Sequence, residues 1–254
     1  AIAREHQVGL ILDAVTWRAS QDWGAQLGYS ADEMDDVNRD AVSLMEEIRA
    51  EHTDEGIAIV TNGCVGPRGD AYTADASTSP VEAEHYHHRQ ITVLSQTAAD
   101  MISGLTLTNT AEATGIVRAA RAVDMPVVVS FTVETDGRLP SGQSLRGAIE
   151  QVDAETDRGA AYFMINCAYP SHFADALEEG APWTKRIRGI RANASNKSHA
   201  ELDESSELDD GNPATFATDL LAVHEYLPNA NVLGGCCGTD DRHIAAITEA
   251  WTSV

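Results

Sequence analysis

The stretch PVVVSFTV, residues 126–133, is a nearly continuous apolar run rich in β-branched valine. A helical pattern, SGQSLRGAIEQVDAE (141–155), follows it, and a second apolar run, AAYFMINCA (160–168), comes next. Strands that are apolar along their whole length are typical of a parallel sheet covered by helices on both faces. The stretch therefore predicts a parallel β-α-β unit.

The same alternation continues along the chain. The predicted strands are 8–17, 57–67, 99–108, 126–133, 160–168, 186–195 and 231–238. The predicted helices are 30–52, 79–98, 109–123, 141–155, 170–180, 215–227 and 240–251. Seven βα units at regular spacing predict an α/β fold of the TIM (β/α)8 barrel type with one unit missing. A doubly wound sheet is the rival, but no glycine-rich dinucleotide turn supports it.

The first residues, AIAREHQVG, resemble the middle of a helix that runs into a strand. If a barrel unit is missing, we therefore expect it to be the first one. The sequence shows no internal repeat, low-complexity tract or linker, which predicts one domain over residues 1–254. The polar segment 193–214 is expected to be an ordered loop after the seventh barrel strand.

The composition excludes several partners. The net charge is −23, and Lys185 and Lys197 are the only two lysines. Such a chain repels nucleic acid and anionic membrane surfaces. The acidity indicates either an ordinary solvated surface or adaptation to high salt. No run of 18 apolar residues is present, and four cysteines do not suggest a disulfide scaffold. We expect a cytoplasmic protein with reduced thiols, small-molecule substrates and homo-oligomeric assembly.

All four cysteines lie at the ends of predicted strands. In a TIM barrel the carboxyl ends of the strands form the active face, so distant cysteines converge there. Cys167, Cys236 and Cys237 supply three thiolates, and an open fourth position is the arrangement of a catalytic zinc site. Gly234 and Gly235 allow the bend that both adjacent cysteines need. For Cys64 we favour the role of a small buried hydrophobic residue.

Several motifs resemble the homocysteine S-methyltransferases, zinc-dependent TIM barrels related to the betaine and S-methylmethionine enzymes. INC and GGCC are similar to the two zinc motifs of that family, in the same order and on the corresponding strands. Three further segments resemble family positions on other strands. The matching segments are INC (165–167), GGCC (234–237), VTW (15–17), GPRGD (66–70) and AEA (111–113).

The resemblance implies that Cys167, Cys236 and Cys237 bind Zn²⁺, which activates a substrate thiol for attack on the methyl group of a small methylated donor. Homocysteine is the implied thiol and methionine the implied product. The expected substrate-site residues lie at strand ends and in the loop after the seventh barrel strand: Thr16, Thr106, Asn166, Asn193 and Glu201. Asn166 is further expected to support the neighbouring ligand.

The chain departs from the family pattern at one strand end. Where the family carries a Glu-Thr pair, with the glutamate on the substrate amine, this chain has Leu105 and Thr106. Either another carboxylate, Glu201 or Asp203, replaces it, or the natural thiol lacks an amine. The Asp-Gly-Gly segment of the family's first strand has no counterpart before residue 8.

Two other function classes stay open at this point. One is a zinc hydrolase or lyase on the same barrel, although three thiolates weaken the metal as a Lewis acid. The other is a non-catalytic protein that binds thiols or a structural zinc, which requires a fourth protein ligand. Cys64 is the only cysteine left over for that position.

Overall fold

The computed structural model describes residues 1–52, 56–73 and 78–253, and a parallel sheet of seven strands forms its centre. Each strand pairs in parallel with the next one along the chain. The strands are β1 (Leu10–Asp13), β2 (Ile59–Val65), β3 (Met101–Leu107), β4 (Val127–Phe131), β5 (Tyr162–Asn166), β6 (Ile187–Ala192) and β7 (Val232–Gly235). This sequential order places all the strand carboxyl ends on one face.

Helices provide the crossovers between the strands. They are α1 (Ile2–Glu5), α2 (Gln21–Gln26), α3 (Ala31–Glu51), α4 (Pro80–Ser95), α5 (Thr110–Arg121), α6 (Leu145–Glu155), α7 (Pro170–Phe173), α8 (His199–Asp203), α9 (Pro213–Ala222) and α10 (Asp241–Thr252). Capping boxes fix where α3 and α4 begin, from Ser30 with Glu33 and from Ser79 with Glu82. Local polar residues thus determine the helix starts, and apolar runs determine the strands.

The core is densest around β4 and β5. All five residues of β4 are buried, and the rings of Phe131 and Phe163 stack with 6.2 Å between their centroids. The residues of β1 and β7 are partly buried, apart from the exposed Leu10. The central strand β4 is therefore buried, as its continuous apolar run predicts, and helices cover the outer side of the sheet.

The two outer strands leave an opening in the curved sheet. A cavity of about 680 Å³ lies between the β1 and β7 edges. An ion pair spans it, with Asp13 Oδ2 at 2.6 Å from Arg191 Nη1. The parallel α/β prediction is confirmed as a seven-stranded half-barrel. Within the described ranges β1 and β7 each pair on one side only. The closed (β/α)8 barrel is therefore not formed by these strands, and the missing first unit stays a prediction.

Two predicted segments differ in detail. The helix predicted over 170–180 divides into α7 and a 3₁₀ turn (Ala174–Ala176), because Leu177 is buried in an extended conformation. The loop predicted over 193–214 contains α8, whose N-cap is Ser198. This short helix brings polar side chains onto the carboxyl face of the sheet.

No helix in the described ranges combines the length and the apolar composition that a bilayer crossing needs. The longest helix, α3, has 21 residues, and many of them are acidic. The cytoplasmic location and the homo-oligomer stay predictions.

Candidate metal centre

The structure brings together the three cysteines that the sequence predicts as ligands. Cys167 follows β5, and Cys236 and Cys237 follow β7. Their Sγ atoms all lie within 4.8 Å of one another. Within the described ranges this group contains no histidine, carboxylate or further cysteine. Cys167 is buried, whereas Cys237 is exposed and gives the cluster an open side.

The oxidation state differs from the prediction of three reduced thiols. Cys167 and Cys236 are joined as a disulfide, with 5.5 Å between their Cα atoms, and Cys237 is a free thiol. That Cα separation lies in the ordinary disulfide range, so strand ends this close bring the two sulphur atoms into bonding contact. The bond must be reduced before both cysteines can act as ligands.

Two backbone positions at the cluster are conformationally unfavourable. Cys167 has φ of 53° and Thr106 has φ of 62°, both in the left-handed region. Non-glycine residues there cost about 1–2 kcal/mol each. Thr106 Oγ1 lies 4.0 Å from Cys167 Sγ. Neighbouring hydrogen bonds hold both residues in this conformation, as is typical of functional sites.

Asn166 supplies most of those hydrogen bonds. Its Oδ1 accepts from the Thr106 backbone N–H (2.9 Å) and from Ser130 Oγ (2.6 Å), while its Nδ2 donates to Thr106 Oγ1 (2.8 Å). The residue is 3% exposed. Asn166 therefore links the ends of β3, β4 and β5 through Thr106 and Ser130. Its support of a metal ligand and its contact with substrate stay predictions.

We expect Asn166→Ala to destabilise the protein by about 3 kcal/mol, because it leaves buried donors and acceptors of Thr106 and Ser130 without partners. Urea unfolding of the reduced protein measures this loss. The matched control is Asn229→Ala, which removes one exposed hydrogen bond to the Lys185 carbonyl. Equal losses in the two variants would contradict the role given to Asn166.

The adjacent cysteines are held by backbone contacts. The Cys236 N–H donates to the Ala192 carbonyl (2.8 Å), and the Cys237 N–H donates to Asn193 Oδ1 (3.1 Å). A side chain at Gly235 would collide with Thr239. Gly235 is therefore needed for a tight turn, and Asn193, which is buried, anchors that turn.

A second cavity, of about 240 Å³, adjoins the exposed cysteine. It is lined by Tyr72, Ser195, His199, Leu202, Asp203, Glu207, Leu208, Asp209, Cys237 and Gly238. Tyr72 Oη lies 3.9 Å from Cys237 Sγ. Burial and the neighbouring Cys237 raise the pKa of Tyr72 well above its usual value, so the phenol is neutral. We call this space the Cys237 pocket.

The Cys237 pocket is acidic. Asp203, Glu207 and Asp209 line it, and the only ion pair formed by these three within the described ranges is Lys197 Nζ to Asp209 Oδ2, at 3.0 Å. Hydrogen bonds from Lys197, Ser195 and the backbone lower the pKa of Asp209. The pocket therefore carries net negative charge at neutral pH.

The loop that carries Tyr72 is fixed by Arg18. The Arg18 guanidinium lies 4.3 Å from the Trp17 ring centroid and 4.2 Å from that of Trp23. Its Nη1 donates to the carbonyls of Pro67 (3.2 Å) and Gly69 (2.8 Å). The sequence prediction missed Tyr72 and Arg18, although Tyr72 follows a Gly-Pro turn at the end of β2.

Two predicted site residues have other contacts. Thr16 is fully buried, and its hydroxyl bonds the backbone of Cys64 rather than facing the cluster. The Glu201 carboxylate caps α8 through Ser198, whose N–H and hydroxyl lower its pKa. Asp203 lines the Cys237 pocket and Glu201 does not. Substrate contact by Thr16 and Glu201 stays a prediction.

Two further buried residues do not line the Cys237 pocket. Leu105 is 7% exposed and lines the cavity between β1 and β7. Cys64 is 3% exposed and does not belong to the three-cysteine group. Burial raises the pKa of the Cys64 thiol well above its usual value, which fits the role of a buried hydrophobic residue.

Comparison with known proteins identifies the family of this chain. The sequence model of the homocysteine S-methyltransferase family matches residues 9–251. The chain belongs to this family. The Arabidopsis thaliana homocysteine S-methyltransferase 1 is 26% identical over 192 residues, covering 70% of this chain and 57% of that protein. The Zea mays homocysteine S-methyltransferase 1 is 24% identical over 242 residues, covering 87% of this chain and 73% of that protein.

A further relative and a solved structure extend the comparison. The Brassica oleracea selenocysteine Se-methyltransferase is 24% identical and covers 93% of this chain and 73% of that protein. The metallated form of the Escherichia coli homocysteine methyltransferase MmuM superposes with a TM-score of 0.72. That alignment is 20% identical and covers 94% of this chain and 78% of the other, so it establishes a shared fold.

Proposed function

We propose that this chain transfers a methyl group from a small methylated donor to the thiol of homocysteine, giving methionine, with Zn²⁺ held by Cys167, Cys236 and Cys237. The observation that carries the proposal is the cluster of three sulphur atoms within 4.8 Å, open toward a pocket at Cys237. Family membership supports the reaction class.

The donor set fits zinc. Thiolates are soft ligands, and sulphur atoms bonded to one tetrahedral zinc at about 2.3 Å lie about 3.8 Å apart. The three Sγ atoms lie within 4.8 Å of one another, so after reduction of the Cys167–Cys236 bond they can take up that spacing around one ion. When bound, zinc would favour the thiolate form of the substrate thiol at neutral pH. The similar Escherichia coli structure is a metallated form of MmuM, which adds support for a metal.

The Cys237 pocket supports a cationic methyl donor, such as a sulfonium or a quaternary ammonium compound. The Tyr72 ring offers a π face, and Glu207 and Asp209 give negative potential. The phenol of Tyr72 stays neutral and can donate to sulphur. This chain's residues would thus hold the donor beside Cys237 while its methyl group faces the thiol.

The rival functions receive less support. Three thiolates donate charge to a metal and weaken its action on water, which disfavours a hydrolase or lyase. A structural zinc needs four protein ligands, and Cys64 lies outside the cluster. An open position suits a catalytic site that takes a substrate thiol as its last ligand.

An assay of zinc content tests this open site. Reduced wild type and Cys64→Ser are each expected to retain one equivalent of zinc, because Cys64 is not a ligand. Inductively coupled plasma mass spectrometry on desalted protein measures the ratio. A loss of zinc in Cys64→Ser would favour a closed structural site and contradict the proposal.

We also propose that an eighth strand fills the opening between β1 and β7 and completes one barrel domain that includes residues 1–254. The unpaired strand edges and the cavity of about 680 Å³ between them support this. Addition of an upstream segment with a strand pattern is expected to raise the melting temperature by several degrees. A shift of this size corresponds to an increase of about 1 kcal/mol or more in the free energy of unfolding. A scrambled segment of equal length is the control. No difference between the two would contradict the eighth strand.

A further inference from the structure

His199 contacts both the backbone of Cys167 and the side chain of Tyr72, which adjoins Cys237. It is the first residue of α8, and its side chain is 8% exposed. Its Nε2 lies 2.6 Å from the carbonyl oxygen of Cys167, and its Nδ1 lies 3.4 Å from Glu134 Oε1. Because a carbonyl only accepts, Nε2 carries the proton and donates it.

The position of the Cys167 carbonyl is coupled to the direction of the Cys167 side chain. Cys167 is in the left-handed region, with φ of 53°, and its conformation determines where Sγ points. The Cys167 N–H donates to the Arg191 carbonyl at 3.1 Å. Besides His199, the only described donor to the Cys167 carbonyl is Thr132 Oγ1, at the longer distance of 3.4 Å. Removal of the imidazole would therefore remove the shorter of the two hydrogen bonds to the Cys167 carbonyl, and the unfavourable left-handed backbone of Cys167 could relax.

The imidazole ring also contacts Tyr72. The two ring centroids are 4.4 Å apart with a tilt of 40°, and Tyr72 Oη lies 3.9 Å from Cys237 Sγ. One side chain thus contacts the backbone of Cys167 and the Tyr72 ring that adjoins Cys237. The capping box of Ser198 and Glu201 fixes the start of α8 and so presents His199 at this point.

We propose that His199 is a positioning residue of the metal centre. Its imidazole fixes the Cys167 carbonyl through a hydrogen bond and the Tyr72 ring through packing, so that Cys167 and Cys237 direct their sulphur atoms toward a common point. The proposal rests on the proposed function, since it assigns His199 a role toward the metal. Groups that orient metal ligands commonly change metal affinity by about 10–100-fold when they are removed.

The test compares His199→Ala, His199→Gln and a control, His224→Ala. A glutamine amide can donate to the Cys167 carbonyl as the imidazole does, whereas alanine cannot. His224 packs on Trp251 outside the cluster, with 4.7 Å between ring centroids. Zinc affinity is measured by chelator competition on reduced protein, and the ligand field by the visible spectrum of the Co²⁺-substituted protein.

We expect His199→Ala to weaken zinc binding by about 10–100-fold and to shift the cobalt spectrum. His199→Gln should recover most of the affinity, and His224→Ala should match wild type. Wild-type affinity and spectrum in His199→Ala would overturn the proposal. So would a glutamine variant that is as weak as the alanine variant.

A metal-free measurement separates this proposal from the proposed function. In reduced, zinc-free protein, alkylation of Cys167 by iodoacetamide, followed by peptide mass spectrometry, reports how firmly its backbone is held. We expect alkylation of Cys167 to be about tenfold faster in His199→Ala than in wild type. If wild type binds no zinc, the proposed function fails. Faster alkylation would still support the positioning role, and an unchanged rate would overturn it.

Discussion

Replacement of Cys236 or Cys237 by alanine is expected to abolish zinc binding and methyl transfer together. The three sulphur atoms within 4.8 Å form one site, and removal of one leaves two thiolates. The free energy of zinc binding to structural sites of this kind is about 10–16 kcal/mol in total. If three ligands share it, the loss of one ligand costs about 4 kcal/mol, which lowers the affinity for zinc about a thousandfold. Chelator competition and a methyl-transfer assay on the same reduced preparation measure both losses.

Cys64→Ser is the matched control for the cysteine variants, because it changes a buried thiol outside the cluster. It is expected to keep zinc and most of the activity. Full zinc content in both Cys236→Ala and Cys237→Ala would end the zinc hypothesis. Loss of zinc in only one of them would show that the cluster uses fewer ligands than we propose.

The second large effect concerns the recognition of the substrate amine at Leu105. A buried ammonium without a partner carries a desolvation cost of several kcal/mol, and about 4 kcal/mol is a thousandfold in affinity. Leu105 is 7% exposed and cannot pair with an amine. We expect Leu105→Glu to raise the preference for homocysteine over its deaminated analogue by up to about a thousandfold.

In wild type we expect a smaller preference for homocysteine, which depends on Asp203. Asp203 lines the Cys237 pocket but is exposed, so its pairing with an amine is screened and gives at most about fivefold discrimination. Asp203→Ala should remove that preference, whereas Glu204→Ala, an exposed neighbour outside the pocket, should keep it. The measurement is kcat/KM for both thiols.

The opposite result would identify another thiol. If wild type prefers the deaminated analogue and Leu105→Glu reverses that preference, homocysteine is not the natural substrate. This outcome would leave the metal centre intact, since Leu105 lines the cavity between β1 and β7 and is not a ligand.

The strands and the cysteine cluster could be predicted because they depend on simple rules. Continuous apolar runs such as 126–133 have no alternative to burial on both faces, and β4 is buried throughout. Cys167 and Cys236 are far apart in sequence, yet both follow parallel strands, whose carboxyl ends share one face.

The surroundings of the cluster could not be predicted in the same way. The contact of Tyr72 with Cys237 depends on the path of a loop that Arg18 fixes through backbone carbonyls, and no periodicity records such bonds. The choice between Glu201 and Asp203 depends on where α8 begins: Ser198 caps the helix through Glu201, and Asp203 then lines the pocket. The left-handed conformation of Thr106 has no signal in its residue type, because threonine rarely adopts it.

The most direct test of the central claim is methyl transfer by reduced, zinc-loaded wild type. Homocysteine is supplied together with sulfonium or quaternary ammonium donors that carry a deuterium-labelled methyl group, and the product is analysed by mass spectrometry. We predict labelled methionine from at least one donor, and none after zinc is removed with a chelator. If zinc-loaded wild type methylates neither homocysteine nor its deaminated analogue with any of these donors, the methyl-transfer function is wrong for this protein.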